Sequence, residues 1–155
     1  MSRMTLHRRG VSKLDILRAV AEGYEEDHRQ AMWTALVSDG TAQQRLRRAL
    51  ALQCEVTERN LATLEALSAA ARDAIFHDSG AEALTRRTFV APLQRLLLDG
   101  VADGSLAEVD AEETATVLFN AVSHTYRHLR TGHGWSAERA RRAVIRLVVE
   151  GLIAR

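Results

Sequence analysis

Apolar residues recur at intervals of three and four along most of the chain, the spacing of one face of an α-helix. No segment alternates with period two for long enough to make a convincing strand. Ser12 followed by Asp15 reads as a helix start, with Leu14, Leu17, Val20, Tyr24 and Ala31 on one face. Asp39-Gly40 predicts its end near residue 38. Thr41 with Gln44 has the form of a capping box, and Leu46, Ala49, Leu50 and Cys54 continue as the next stripe. A soft break is expected at Arg59-Asn60, after which Leu61, Leu64 and Leu67 carry the pattern to about Phe76. His77-Asp78-Ser79-Gly80 reads as a turn, with Ser79 and Glu82 as a second capping box.

The following stripe is Leu84, Thr88, Ala91, Leu96, Leu97 and Val101, ending at Gly104. Pro92 lies inside it and predicts a kink, because proline has no N–H and crowds the preceding turn. Asp110 with Glu113 opens a helix carrying Thr114, Val117, Leu118, Ala121, Val122, Thr125 and Leu129, closed by Gly132 and Gly134. Ser136 opens the last, with Ala140, Ala143, Val144, Leu147, Val148, Gly151 and Leu152. The expectation is an all-α domain of about six helices behind an N-terminal stub.

Composition changes this picture little. The 155 residues suit one domain with one core, and a single proline with nine glycines favours long helices joined by short turns. The formal net charge of +1 gives no sign of a nucleic-acid coat or an acidic tail. Cys54 is the only cysteine, so no disulfide forms within one chain. With no apolar run of the ~18 residues a membrane span needs and no signal-like stretch, a cytoplasmic, soluble protein without a membrane partner is expected.

Two stretches resemble the TetR family of transcriptional regulators. Ser2-Arg3-Met4-Thr5-Leu6-His7-Arg8-Arg9, followed by Ser12-Lys13-Leu14-Asp15-Ile16-Leu17, is similar to the end of that family's recognition helix and the start of the next helix. Phe89-Val90-Ala91-Pro92-Leu93, then Asp99-Gly100-Val101-Ala102-Asp103-Gly104-Ser105-Leu106 and Glu112-Glu113-Thr114-Ala115, is similar to C-terminal ligand-binding domains of one branch. His7 stands where the family usually has Tyr, and Gly10 where it usually has Phe.

The resemblance implies a division into residues 1–11, a remnant of the recognition helix and linker, and 12–155, a ligand-binding and dimerising body. Most of the helix-turn-helix would then be missing. Arg3, Thr5, His7, Arg8 and Lys13 are its remnant, basic enough to attract phosphate but too short to hold a reading helix alone. Operator DNA is implied as a partner only where the missing head is present. The resemblance also implies a homodimer formed by the last two helices, with Val117, Ala121, Val144, Leu147, Val148, Gly151 and Leu152 at the interface. It implies a small-molecule effector held inside the body, with Trp33, Leu50, Cys54, Phe89, Leu93, Phe119, Asn120, Val122, His124 and Tyr126 as candidate lining. The function implied is that of a regulator, in the family's usual manner a repressor, whose DNA binding is impaired in this chain. The alternative is a stand-alone binder or a dominant-negative dimerisation partner.

No catalytic motif stands in the sequence: no nucleophile elbow, no P-loop, no dinucleotide-binding glycine pattern and no zincin helix. An enzyme is therefore not expected. A di-iron bundle needs two Glu-x-x-His pairs, and only Glu25-x-x-His28 is present, on a run of acidic residues that reads as solvated. His124 and His128 have metal-ligand spacing, but His133 is a thin third ligand, so neither metal nor cofactor is expected. Cys54 reads as a structural thiol. Arg139, Arg141, Arg142 and Arg146 read as a solvated helix face.

Overall fold

The computed structural model describes residues 13–66 and 86–150. Among these there are six α-helices and no β-strand: α1 Lys13–Leu36, α2 Ala42–Arg59, α3 Leu61–Ala66, α4 Ala91–Ala102, α5 Ala111–Thr131 and α6 Ala137–Glu150. A π-helical stretch, Arg86–Val90, runs directly into α4. The Ser12 cap, the stripe beyond Ala66, the His77 turn, the Ser79–Glu82 box, Leu84, Gly151 and Leu152 lie outside the described residues. So do the boundary at residue 11, Arg3, Thr5, His7, Arg8 and the side chain of Lys13.

Helix α2 is the axis of the fold and touches α1, α3, α4, α5 and α6. Leu46, Ala49, Leu50, Cys54 and Val56 on it are all buried, in one continuous core with Leu93, Leu96 and Leu97 of α4 and Ala115, Leu118 and Val122 of α5. Its N-terminus is secured twice. Thr41 and Gln44 form both halves of the capping box. From the loop after α4, the Asp103 carboxylate accepts from Ala42 N at 2.8 Å and Ser105 Oγ accepts from Gln43 N at 3.1 Å. Two orphan amides at the positive end of the helix dipole are thus satisfied by distant residues. Asp103 is held below the usual carboxylate range, first by the Ala42 amide.

This assigns a structural purpose to the Asp99–Leu106 segment. Gly100 leaves room for Leu106, whose Cδ1 would lie 2.4 Å from a Cβ added there. Gly104 turns the chain at φ +74°, a conformation that favours glycine. Asp99 bonds Arg45 at 3.3 Å, and Arg45 also donates to the Leu36 carbonyl at 3.2 Å, closing the end of α1.

The local signals at the other ends agree with the sequence. Gly40 at φ +108° follows the end of α1, and Asn60 caps α2. Asp110 accepts from Glu113 N at 2.8 Å, and Ser136 Oγ accepts from Arg139 N at 3.3 Å. Pro92 departs from expectation. It sits in the first turn of α4, where a missing N–H costs nothing, and the break in the helix takes the form of the preceding π stretch. The π stretch also shifts the register: Phe89 and Val90 are buried, while Ala91 and Val101, both expected inward, are exposed.

Candidate functional site

Six of the expected lining residues, Leu50, Cys54, Phe89, Leu93, Phe119 and Tyr126, are buried together in the core, as is Val122. Trp33, Asn120 and His124 are not among them: all three are exposed. Trp33 lies outside the Tyr24–His28–Ala31–Ala35 face of α1. Asn120 and His124 each follow an inward residue, Phe119 and Ser123, and one step along a helix rotates a side chain by ~100°. Asn120 instead donates to the Thr116 carbonyl on its own helix at 2.9 Å.

The core also holds polar residues that the sequence reading placed elsewhere or passed over. His28, read as solvated with its acidic neighbours, is 0% exposed. Its ring meets Phe89 edge-on at 4.7 Å between centroids and Phe119 at 5.7 Å. Phe89 in turn lies 5.1 Å from Phe119 and 5.8 Å from Tyr24. Neither nitrogen of His28 has a hydrogen-bond partner of ordinary geometry. Burial drives its pKa down to about 4, opposed by a loose hydrogen bond with the Thr88 backbone, so the imidazole is neutral at physiological pH.

Gln53, equally buried, donates through Nε2 to the Phe119 carbonyl at 2.8 Å and to Ser123 Oγ at 2.7 Å, while its Oε1 has no partner. Tyr24 joins the same group through side-chain hydrogen bonds with Thr57 and Ser123, and burial raises its pKa. Four elements thus converge: α1 with Tyr24 and His28, α2 with Gln53 and Thr57, the π stretch with Phe89, and α5 with Phe119 and Ser123. The signal for His28 was present. It falls four residues after Tyr24 and three before Ala31, on the buried face.

A second polar group lies further along the same α2–α5 contact and is fully satisfied. Arg130 grips Glu58 through two nitrogens, at 2.8 and 2.6 Å, and the Tyr126 hydroxyl donates to Glu58 at 2.8 Å. Arg130 also bonds the Trp135 carbonyl, tying in the α5–α6 turn. The Arg130 guanidinium holds Glu58 below the usual carboxylate range. The hydroxyl of Tyr126 is committed to this pair, and burial together with Glu58 raises its pKa.

Cys54 is buried and its thiol is pushed up to about 12 by desolvation, so it carries no thiolate. His128 and His133 lie 5.0 Å apart between ring centroids, yet no group of three metal-binding side chains assembles among the described residues. The arginine run is largely at the surface: Arg141 pairs with Glu55 at 2.7 Å and Arg139 lies over the Trp135 ring. No helix among the described residues is long and apolar enough to cross a membrane.

On α5 and α6, Val117 and Leu147 are 57% and 78% exposed, with Ala121 and Val148 half-buried beside the core. Val144, expected in the same set, faces inward and is 5% exposed. The inward row of α6 is Ala140, Val144, Ile145 and Val149, which places Leu147 on the outer side.

No family model and no curated protein sequence matches the chain. Among solved structures, it is similar to a transcriptional regulator of the TetR/AcrR family from Thermobifida fusca YX-ER1, with a TM-score of 0.69. The chain has the TetR-type fold. The match covers 97% of this chain and 80% of that one, at 22% sequence identity, so it speaks for the fold alone. The all-α expectation and the likeness to TetR-type architecture therefore agree with the structure.

Proposed function

We propose that this chain is the effector-binding, dimerising body of a TetR-like transcriptional regulator, a repressor in the family's usual manner. The observation that carries the reading is His28: a neutral imidazole, fully buried among aromatic rings, with no side-chain hydrogen-bond partner and only a loose bond with the Thr88 backbone. Leaving a ring nitrogen of such a group unpaired costs about 1–3 kcal/mol, and the cost is recovered when a ligand pairs with it. Most residues around it are apolar and a few polar groups converge, the usual make-up of a small-molecule site.

Dimerisation is supported by the exposed Val117 and Leu147 on α5 and α6, which together with Ala121 and Val148 form a face that a second copy would cover. A stable interface of this kind buries roughly 2,000 Å² or more. The effector works by population shift: it favours one of two arrangements of the body, and so one spacing of any DNA-binding heads attached to it. Operator DNA is a partner through such heads. No enzymatic activity is part of this reading.

Native mass spectrometry of the purified protein tests it. The expected result is a dimer carrying a retained small molecule that is lost in His28→Leu. A monomer at tens of micromolar, or adduct binding indifferent to His28, would count against the reading.

A further inference from the structure

We propose a metal site apart from the core: His128 and His133 together bind one borderline-soft divalent cation, of the class of Zn2+, Ni2+ and Cu2+, at the turn between α5 and α6. The sequence singles out His124 and His128, four residues apart on one helix, and offers His133 only as a thin third ligand. Packing changes the pair. It is the rings of His128 and His133 that meet, 5.0 Å between centroids and at 90° to each other. That separation is the one a shared metal needs. A nitrogen ~2.1 Å from zinc puts its ring centre ~3.2 Å away, and a tetrahedral angle between two such rings spaces their centres by roughly 5 Å. Both residues are exposed, so a hydrated cation can reach them and keep water in its remaining positions.

The turn is built to hold this pair. Gly132 N and His133 N both donate to the His128 carbonyl, at 2.8 and 3.3 Å, and Trp135 N donates to the Leu129 carbonyl at 3.0 Å. Arg130 fastens the same turn through the Trp135 carbonyl. Gly134, at φ +64°, turns the chain after His133. Gly132 has a different purpose. Its φ of −84° suits any residue. A β-carbon added there would lie 2.8 Å from His128 Cε1 and 2.9 Å from Nδ1. The missing side chain therefore leaves space for the imidazole rather than freedom for the backbone.

The donors set the class of cation. Imidazole nitrogens suit zinc, nickel and copper, whereas magnesium and calcium take oxygen ligands. No third His, Cys, Asp or Glu completes the group among the described residues, so water fills the rest of the coordination shell. The carbonyl end of the 21-residue α5 adds a partial negative charge that favours a cation. The two arginines of the turn are engaged elsewhere, Arg130 with Glu58 and Arg139 over the Trp135 ring at 3.9 Å. A bound cation ties the end of α5 to the segment leading into α6, the two helices whose outer faces carry Val117 and Leu147.

The test is isothermal calorimetry of the tag-free full chain with Ni2+, Zn2+ and Mg2+. The expected result is one Ni2+ or Zn2+ per chain and no heat from Mg2+. His128→Ala and His133→Ala each weaken Ni2+ binding by at least ~10-fold, and His124→Ala leaves it unchanged. All three positions are exposed, and circular dichroism checks that each variant folds. A second readout is fluorescence. Trp135 lies 6.4 Å from His133, and Trp33 is the other tryptophan. In Trp33→Phe, Cu2+ is expected to quench the remaining emission, and His133→Ala to abolish that quenching.

No binding of Ni2+ or Zn2+ at millimolar metal overturns the proposal. So does Mg2+ binding with equal affinity, or a loss caused by His124→Ala and not by His133→Ala. Cu2+ that binds without quenching Trp135 overturns it as well. None of these outcomes bears on His28, so the metal site and the effector reading fail separately.

Discussion

Two polar groups lie along the α2–α5 contact, one fully buried where α1 joins it and one partly open to water, and they are built on opposite terms. Around Glu58 every strong donor and acceptor is matched: a two-point arginine grip, a tyrosine hydroxyl and a backbone carbonyl at the next turn. Around His28 and Gln53 three polar atoms lack a well-formed hydrogen bond in a setting of phenyl rings, with only a loose Thr88 backbone bond to the imidazole. Satisfied networks fix a fold, whereas unsatisfied ones lower its stability and persist where something else completes them. The Glu58 group reads as a lock between helices, and the His28 group is the proposed recognition site.

The largest expected effect separates the two by pH. His28 has its pKa lowered in the fold, to about 4 from 6.5, so the unfolded chain binds the extra proton first. Stability is therefore full above about pH 6.5 and falls as the pH drops toward 4, by about 3 kcal/mol at ~1.4 kcal/mol per pH unit. Glu58 is also depressed, first by Arg130, so its contribution is present above its ordinary carboxylate value and is lost only as pH falls below that. Urea unfolding between pH 7 and pH 4 is expected to show the first loss in wild type and not in His28→Leu. An identical slope in both proteins would remove the basis for a neutral buried imidazole.

Next in size, Glu58→Ala is expected to cost about 2 kcal/mol in urea unfolding, because it strands Tyr126 and Arg130. The pair is partly open to water, with side-chain exposures of 32% and 23%, which keeps the figure below that of a fully buried ion pair. His28→Leu should move the other way, gaining about 1 kcal/mol at pH 7, since it replaces an unpaired polar group with an apolar one. A loss of the same size would mean that His28 is paired in solution. The smallest effect concerns Cys54: alkylation by iodoacetamide at pH 8 should proceed at the rate of global or local opening, far below that of the urea-unfolded chain.

What the sequence made legible was mostly local. Caps and stops need only a few adjacent residues, and Thr41–Gln44, Asp110–Glu113, Ser136, Gly40 and the Asn60 break lie where the pattern put them. Half-legible was the core: Leu50, Cys54, Phe89, Leu93, Phe119 and Tyr126 are inside, but Trp33, Asn120 and His124 are not. Helical spacing tolerates a step of three or four, and large or polar residues one position off the stripe are easily admitted to it. The same ambiguity put Val144 with Leu147 on α6, where a step of four leads inward and a step of three leads out.

Least legible was the proposed recognition site. His28 follows Glu25-Glu26-Asp27, and its local surroundings are those of a solvated face. Its burial is decided by Phe89 and Phe119, which lie 61 and 91 residues away in sequence. The π stretch that delivers Phe89 has no pattern of its own and shifts the stripe that follows it. A non-local environment of this kind is a property of the packed helices rather than of any one of them.

Long-range 15N–1H correlation NMR of the intact chain between pH 7 and pH 5 reads the protonation state of His28 itself. A neutral imidazole throughout that range is expected, because burial holds the ring's pKa down to about 4. A ring that protonates near pH 6.5 like an exposed histidine would contradict the neutral, buried imidazole on which the proposed effector site rests.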